Sequence, residues 1–320
     1  MPARLAVCLT PDANFFRPAV LTAASMLAQA DSEAFDVLLL CEEADVAPGF
    51  ADLDPALRTR IHLRIVDWSR HVAGLPVRGH FTSAVNRRLA LHRVLPDTVE
   101  RYVSLDADML VMREGLAALA GTRLGDSPFA AAVDMIFLKD LEDGALTAEF
   151  KTYRARLGLS PGTPYFNNGF TLVDRQNWER LNVAGAATAF LAANAGRCPY
   201  LEQSALNAVV NGQFAPLSPR YNFMGDFQLL DLEAEVEPIV FHFVNRPKPW
   251  EAGWRGDGRF AEAYRSFFLS SPWPGLAPPA GGSSRRQSLD AEALRFRARL
   301  LDWLRTQTFV DTWKAPQRAN

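Results

Sequence analysis

Two carboxylates stand one residue apart in "ERYVSLDADMLVM" (100–112), where Asp106 and Asp108 interrupt an apolar run that resumes at once. In an extended strand, side chains two positions apart share a face. Like charges held that close repel, and burial raises their pKa values, so a cation is expected between them. Much later, "IVFHFVNRPKPW" (239–250) sets His242 inside an apolar strand pattern, with Lys248 following before Pro249 and Trp250. Two carboxylates and one neutral imidazole suit Mn²⁺ better than Ca²⁺. A lysine close by offers a point charge to a diphosphate.

The same residues have plainer roles. Asp106 can cap a following helix while Asp108 is solvated, and a lone histidine in an apolar strand is often a satisfied core group. An Asp-x-Asp at a strand end also serves phosphatase chemistry, but there it normally follows the first strand. Here it follows the fourth of the predicted strands.

Those strands are 4–9, 35–40, 61–66, 101–106, 129–134, 169–174 and 238–244, read from short apolar runs. Helical patterns at 18–30, 82–95, 146–157, 184–195 and 200–211 lie between them. The alternation predicts an α/β fold: a Rossmann-like, mostly parallel sheet with helices on both faces. Ligands of such sheets bind beyond the carboxyl ends of the strands. Asp106, Asp134 and Asp174 close predicted strands, and Thr10 to Asp12 follow the first.

Bulk properties exclude several classes. With 320 residues, 48% apolar and 22% charged, the chain has ample length for a sizeable core in one large domain or two small ones. A formal net charge of −2 gives no overall electrostatic case for nucleic acid. Three widely spaced cysteines, Cys8, Cys41 and Cys198, argue against a disulfide framework or a cysteine zinc site. A cytoplasmic, reducing setting is expected. The first apolar run is too short for a signal-peptide core, and no run reaches the ~18 residues of a spanning helix.

Six segments, in order, resemble glycosyltransferase family 8. "TPDANF" (10–15) resembles its nucleotide-base loop, and "HFTSAVNRRL" (80–89) its His-x-Ser-x-Ala segment, which places Arg88. "YVSLDADMLV" is similar to the metal motif, and "PYFNNGFTLVDRQNW" (164–178) to its Pro-Tyr-Phe-Asn-x-Gly segment. "LEQSALNAVVNGQF" (201–214) resembles its Asp-Gln-Asp segment, and "HFVNRPKPW" its His-x-x-Gly-x-x-Lys-Pro-Trp. The resemblance, which includes bacterial lipopolysaccharide galactosyl- and glucosyltransferases, implies a GT-A fold and retaining hexosyl transfer. The donor implied is a UDP-sugar, and the acceptor a glycan or glycolipid.

It also implies roles. Asp106, Asp108 and His242 would hold Mn²⁺ or Mg²⁺. Thr10, Asp12 and Asn14 would read uracil and ribose, although turn chemistry at Pro11-Asp12 explains them equally. Arg88, Asp106, Ala107, Asn167, Asn168, Gln203, Asn245 and Lys248 would bind the donor. Arg88 either pairs with a metal-motif carboxylate or reaches the diphosphate, and Arg87 and Arg88 cannot share one helix face. Asn167 and Asn168 could instead form a Gly-associated turn. Gln203 sits where a nucleophile would be sought, and an amide is a poor one. Front-face attack is therefore expected, with Glu202 or Asp134 stabilising positive charge. The segments depart from the family at Ala13, at Asn86 and Arg87 where paired aromatics are usual, at Glu202 and Ser204, and at Asn245. Two rival classes remain: a sugar-nucleotide binder with decayed chemistry, resting on Glu202-Gln203-Ser204, and a nucleotidyltransferase, which lacks its Gly-rich loop here.

Residues 1–255 are expected to form the catalytic domain, and 256–320 a linker and a C-terminal helical tail. "SSPWPGLAPPAGGSSRRQ" (270–287) reads as linker. Beyond it, apolar residues at 289, 293, 296, 300 and 304 have helical period, with Ser288 or Asp290 as cap. Arg285, Arg286, Arg295, Arg297, Arg299, Arg305, Lys314 and Arg318 outnumber the acids there, and Phe296, Trp303, Phe309 and Trp313 accompany them. Such a helix either docks on an anionic membrane face or packs its apolar stripe on the core.

Overall fold

The run Leu5–Leu9 is buried at every residue, as a strand covered on both faces must be. In the computed structural model, which describes residues 4–79, 82–142, 144–280 and 288–317, this run is β1. The strands that follow are β2 (Phe35–Cys41), β3 (Ile61–Ile65), β4 (Arg101–Leu105), β5 (Met109–Val111), β6 (Phe129–Val133) and β7 (Phe166–Asp174). Last come β8 (Ala215–Pro216), β9 (Phe223–Met224) and β10 (Val240–His242). Seven of them form one sheet in the order β3-β2-β1-β4-β7-β6-β8. Its pairs are parallel except at β7, which runs antiparallel to both β4 and β6. The architecture is α/β, with a mostly parallel central sheet and helices around it.

The reversed β7 corrects two expectations. It begins at Phe166, so Asn167 and Asn168 are buried strand residues, not a turn. It also carries Asp174 away from the carboxyl ends, to the level of Arg101. Asp174 lies 3.5 Å from the Arg101 guanidinium and caps the helix Arg175–Arg180, accepting from the Asn177 N–H. It belongs to no site at the other end.

A small sheet, β5-β10-β9, stands beside the large one. Its antiparallel register sets His242 opposite Met109. A histidine distant in sequence is thus placed against the residue that follows Asp108.

Residues 258–270, counted above with the extension, form a helix whose Phe260, Tyr264 and Phe268 are buried. Phe260 packs on Phe241 and Phe243, with ring centroids 4.9 and 5.0 Å apart. Within the expected linker, Trp273 is also buried and donates its indole N–H to the Pro48 carbonyl at 2.6 Å. Residues 281–287, with Arg285 and Arg286, lie outside the described residues, as do Arg318, His80 and Phe81.

The C-terminal helix is Ala291–Thr306, and Asp290 is its cap, accepting from the Ala293 N–H at 2.8 Å. Phe296, Leu300, Leu301 and Leu304 are buried in the same apolar core as the sheet. The stripe that would enter a membrane interface therefore faces the protein. Arg297 pairs with Glu235 and Arg305 with Asp302. Val310 and Asp311 continue to the sheet edge, where Val310 N–H donates to the Pro216 carbonyl at 2.9 Å and Asp311 accepts from Ser218. Among the described residues, no helix is long and apolar enough to cross a membrane.

Candidate active site

Asp106, Ala107 and Asp108 occupy the bend between β4 and β5, so strand alternation is not what aligns the two carboxylates. Backbone anchors fix the bend. The Asp106 N–H donates to the Gly169 carbonyl at 2.8 Å, and the Phe243 N–H donates to the Asp108 carbonyl at 3.0 Å. From the helix Phe16–Leu27, the buried Thr22 hydroxyl reaches the carbonyls of Ala107 and Met109. These four bonds give the irregular backbone here partners for the Asp106 N–H and for the carbonyls of Ala107, Asp108 and Met109.

The donor atoms of Asp106, Asp108 and His242 lie within 4.8 Å of one another. His242 Nε2 is 3.7 Å from Asp106 and 3.4 Å from Asp108. Its Nδ1 faces Asn222 Oδ1 at 2.8 Å. Gly169 leaves the space the cluster needs: a Cβ there would lie 2.4 Å from His242 Cε1 and 2.9 Å from Asp106 Oδ2. Two carboxylates, an imidazole with its second nitrogen engaged, and a cradle that any side chain would fill together fit a divalent ion.

Cations of the protein balance these acids. Lys248, buried, places Nζ 2.7 Å from Asp108 Oδ2 and also donates to the Phe243 carbonyl. Burial alone would raise the Asp108 carboxyl, but Lys248 and His242 hold it below the usual carboxylate range. Arg87 and Arg88, adjacent in the 3₁₀ helix Ser83–Ala90, are both buried and point to different partners. Arg87 pairs with Asp45 at 2.7 Å and donates to the Pro11 carbonyl. Arg88 pairs with Asp106 and lies 3.5 Å from Glu202, so it takes the metal-motif option.

Past the cluster of Asp106, Asp108 and His242 lies a second polar group. Asp134 caps the helix Met135–Leu138, its Oδ1 accepting from the Ile136 N–H, and its Oδ2 accepts from Asn167 Nδ2 at 2.7 Å. Gln203 Oε1 accepts from the Asn168 N–H at 2.9 Å, while its Nε2 lies 3.4 Å from Asp134. Burial pushes the Glu202 carboxyl up to about 7, against the pull of Arg88. Burial also raises the Asp134 carboxyl, against the Ile136 N–H and the Asn167 amide.

Together these groups line a cleft of about 630 Å³ that includes Thr10, Asp12, Arg88, Asp106, Ala107, Asp108, Asp134, Asn167 and Asn168. Glu202, Gln203, His242, Asn245 and Lys248 complete the expected set. The volume suits a small organic ligand. Asn14 alone among the expected residues is absent from the lining, and it is exposed. Asp12 does line the cleft, yet its Oδ1 caps the Asn14 and Phe15 N–H groups and its Oδ2 accepts from Thr82 at 2.6 Å. Turn chemistry therefore accounts for much of this loop. Phe15 lines the cleft in place of Asn14 and meets the Trp250 ring edge-on at 6.1 Å.

Ser204, one of the departures noted above, is wholly buried and faces away from the cleft. Its hydroxyl lies 2.8 Å from the Tyr153 hydroxyl and accepts from the Tyr200 N–H. That departure therefore lies outside the cleft lining. Sequence reasoning missed Asn222, Phe15 and Thr22. Phe15 adjoined the base loop and could have been found there. Asn222, within "RYNFM", and Thr22, inside a helix, carry no local pattern.

Comparison with known proteins gives a consistent result. The protein General stress protein A of Bacillus subtilis (strain 168) is 23% identical over 217 residues, covering 63% of this chain and 70% of that protein. Lipopolysaccharide glucosyltransferase WaaO of Escherichia coli (strain K12) is 24% identical over 230 residues, 69% of this chain and 64% of WaaO. The structure of galactosyltransferase LgtC with donor and acceptor sugar analogs superposes with a TM-score of 0.66 at 23% identity, over 81% of this chain and 95% of LgtC. The glycosyltransferase GlyE of Streptococcus pneumoniae TIGR4 gives 0.56 at 17% identity, over 88% and 66%. These two structures share the fold. The family model for glycosyl transferase family 8 matches residues 6–253, and the chain belongs to that family.

Proposed function

We propose that this glycosyltransferase moves a hexose, glucose or galactose, from a UDP-sugar to a hydroxyl of a glycan or glycolipid, with retention and with Mn²⁺ or Mg²⁺. The observation that carries the reading is the convergence of Asp106, Asp108 and His242 beside Lys248 and Arg88. The names of WaaO and LgtC support glucose or galactose as the sugar.

A diphosphate leaves only when its charge is balanced. A bound divalent ion would supply Lewis-acid neutralisation of that charge. Lys248 adds a fixed ammonium at the same end of the cleft. Arg88 holds Asp106 in place and keeps Glu202 close by. Asp134, Asn167 and Gln203 form a pre-oriented polar wall suited to sugar hydroxyls. Gln203 provides no carboxylate nucleophile, which favours front-face attack with the acceptor proton passing to the leaving phosphate oxygen. The reading includes no membrane insertion through the helix Ala291–Thr306, whose apolar side is in the core.

The test is incubation with Mn²⁺ and a panel of UDP-, GDP- and CDP-sugars, with and without simple glycoside acceptors. Preferential turnover of UDP-glucose or UDP-galactose is expected. Binding without turnover would favour the decayed binder, and tighter binding of GDP or CDP would refute the reading of residues 10–15.

A further inference from the structure

The amides joining the sugar end of the cleft to the metal end have only one consistent orientation. Asn167 Oδ1 accepts from the Gly169 N–H at 2.9 Å, a group that can only donate. Its Nδ2 is therefore the atom that meets Asp134. Asn222 approaches that same Oδ1 at 2.9 Å and must present its Nδ2 as donor. This turns Asn222 Oδ1 toward His242 Nδ1. An amide oxygen only accepts, so Nδ1 must carry the imidazole proton. In the neutral ring Nε2 then keeps its lone pair, directed at the space beside Asp106 and Asp108. Asn222 is fully buried, so no solvent contact offers the ring an alternative.

We propose that Asn222 is a positioning residue that locks His242 in the Nδ1-protonated tautomer and so prepares Nε2 to ligate the divalent ion. Through Asn167, the lock is anchored at Asp134, a residue of the polar wall that faces the donor sugar. The proposal rests on the metal reading above. It adds a determinant that neither the metal motif nor the strand histidine contains. Outer-shell partners of this kind typically change metal affinity by ~10–100-fold when removed.

The test measures Mn²⁺ affinity by the EPR signal of free Mn²⁺ for the wild type, Asn222→Ala and Asn222→Asp, with circular dichroism as the check on folding. Asn222→Ala is expected to weaken Mn²⁺ binding by ~10–100-fold. Asn222→Asp keeps an acceptor for Nδ1 but loses the donor to Asn167 Oδ1, so it should bind Mn²⁺ more weakly than the wild type. In the Mg²⁺-loaded wild type, ¹⁵N NMR should find the imidazole proton on Nδ1, which a purely packing role would not fix. Wild-type affinity in folded Asn222→Ala, or a proton on Nε2, overturns the proposal. A wild type that binds no Mn²⁺ instead overturns the metal reading beneath it. Should Asn222→Ala fail to fold, ¹⁵N NMR of the imidazole in the Mg²⁺-loaded wild type decides. A protonated Nδ1 supports the lock, and a protonated Nε2 overturns it.

Discussion

The two ends of the cleft are built on different principles. At the metal end, Asp106 meets Arg88, Asp108 meets Lys248, and His242 is held by an amide of fixed orientation. At the end lined by residues 10–15, Asp12 has both oxygens engaged within the protein, Asn14 is exposed, and the wall is the ring of Phe15. The first end is pre-organised around charge, and the second presents shape and an aromatic face. Substitutions should therefore be severe at the first and mild at the second.

The largest effect is expected from Asp108→Ala. It removes a carboxylate proposed to hold the ion and also leaves Lys248 buried without its partner carboxylate. Sugar-nucleotide turnover should fall by ~10³-fold or more, with a lower Tm but a native circular dichroism spectrum. Next is Gly169→Ala, whose Cβ would intrude on His242 and Asp106. Mn²⁺ affinity, measured by titration, should weaken by ~10-fold or more while strand β7 persists.

Glu202→Gln probes the charge balance through pH. The Glu202 carboxyl is raised by burial from 4.5 to about 7 in the folded chain. Between those values the folded state holds a proton that the unfolded state has released. Stability from this group is therefore complete below about pH 4.5 and is lost as pH rises through about 7. At 1.36 kcal/mol per pKa unit the loss is about 3 kcal/mol. Denaturant melts across pH 4–8 should show this decline in the wild type and lack it in Glu202→Gln. The smallest effect belongs to Asn14→Ala at the other end, where donor KM should change by less than ~3-fold. A drop comparable to that of Asp108→Ala would erase the contrast between the two ends.

The same contrast separates what could be read in the sequence from what could not. Apolar runs and their spacing located seven strands, most of them buried on both faces, while the short β5, β8 and β9 were not read. The cluster of Asp106, Asp108 and His242 was legible as a candidate from an Asp-x-Asp beside one apolar run and a histidine within another, although each alone has plainer uses. The direction of β7 was not legible. Its apolar pattern is the same whichever way it pairs, and only the register with β4 and β6 sends Asn167 to the cleft and Asp174 away. The stripe of the last helix was visible too, but periodicity cannot say whether core or membrane covers it. Asn222 was invisible, since its role comes from a hydrogen-bond chain across β7, β10 and the loop before β9.

The most direct measurement is UDP release from UDP-glucose and UDP-galactose by the full chain, with Mn²⁺ and with excess chelator, and NMR of the sugar's anomeric configuration at first appearance. Release that requires the ion, ceases in Asp108→Ala and His242→Ala, and yields the α-configured sugar is the expected result. Undiminished release in chelator would contradict the role assigned to Asp106, Asp108 and His242, and a β-configured first product would contradict retention.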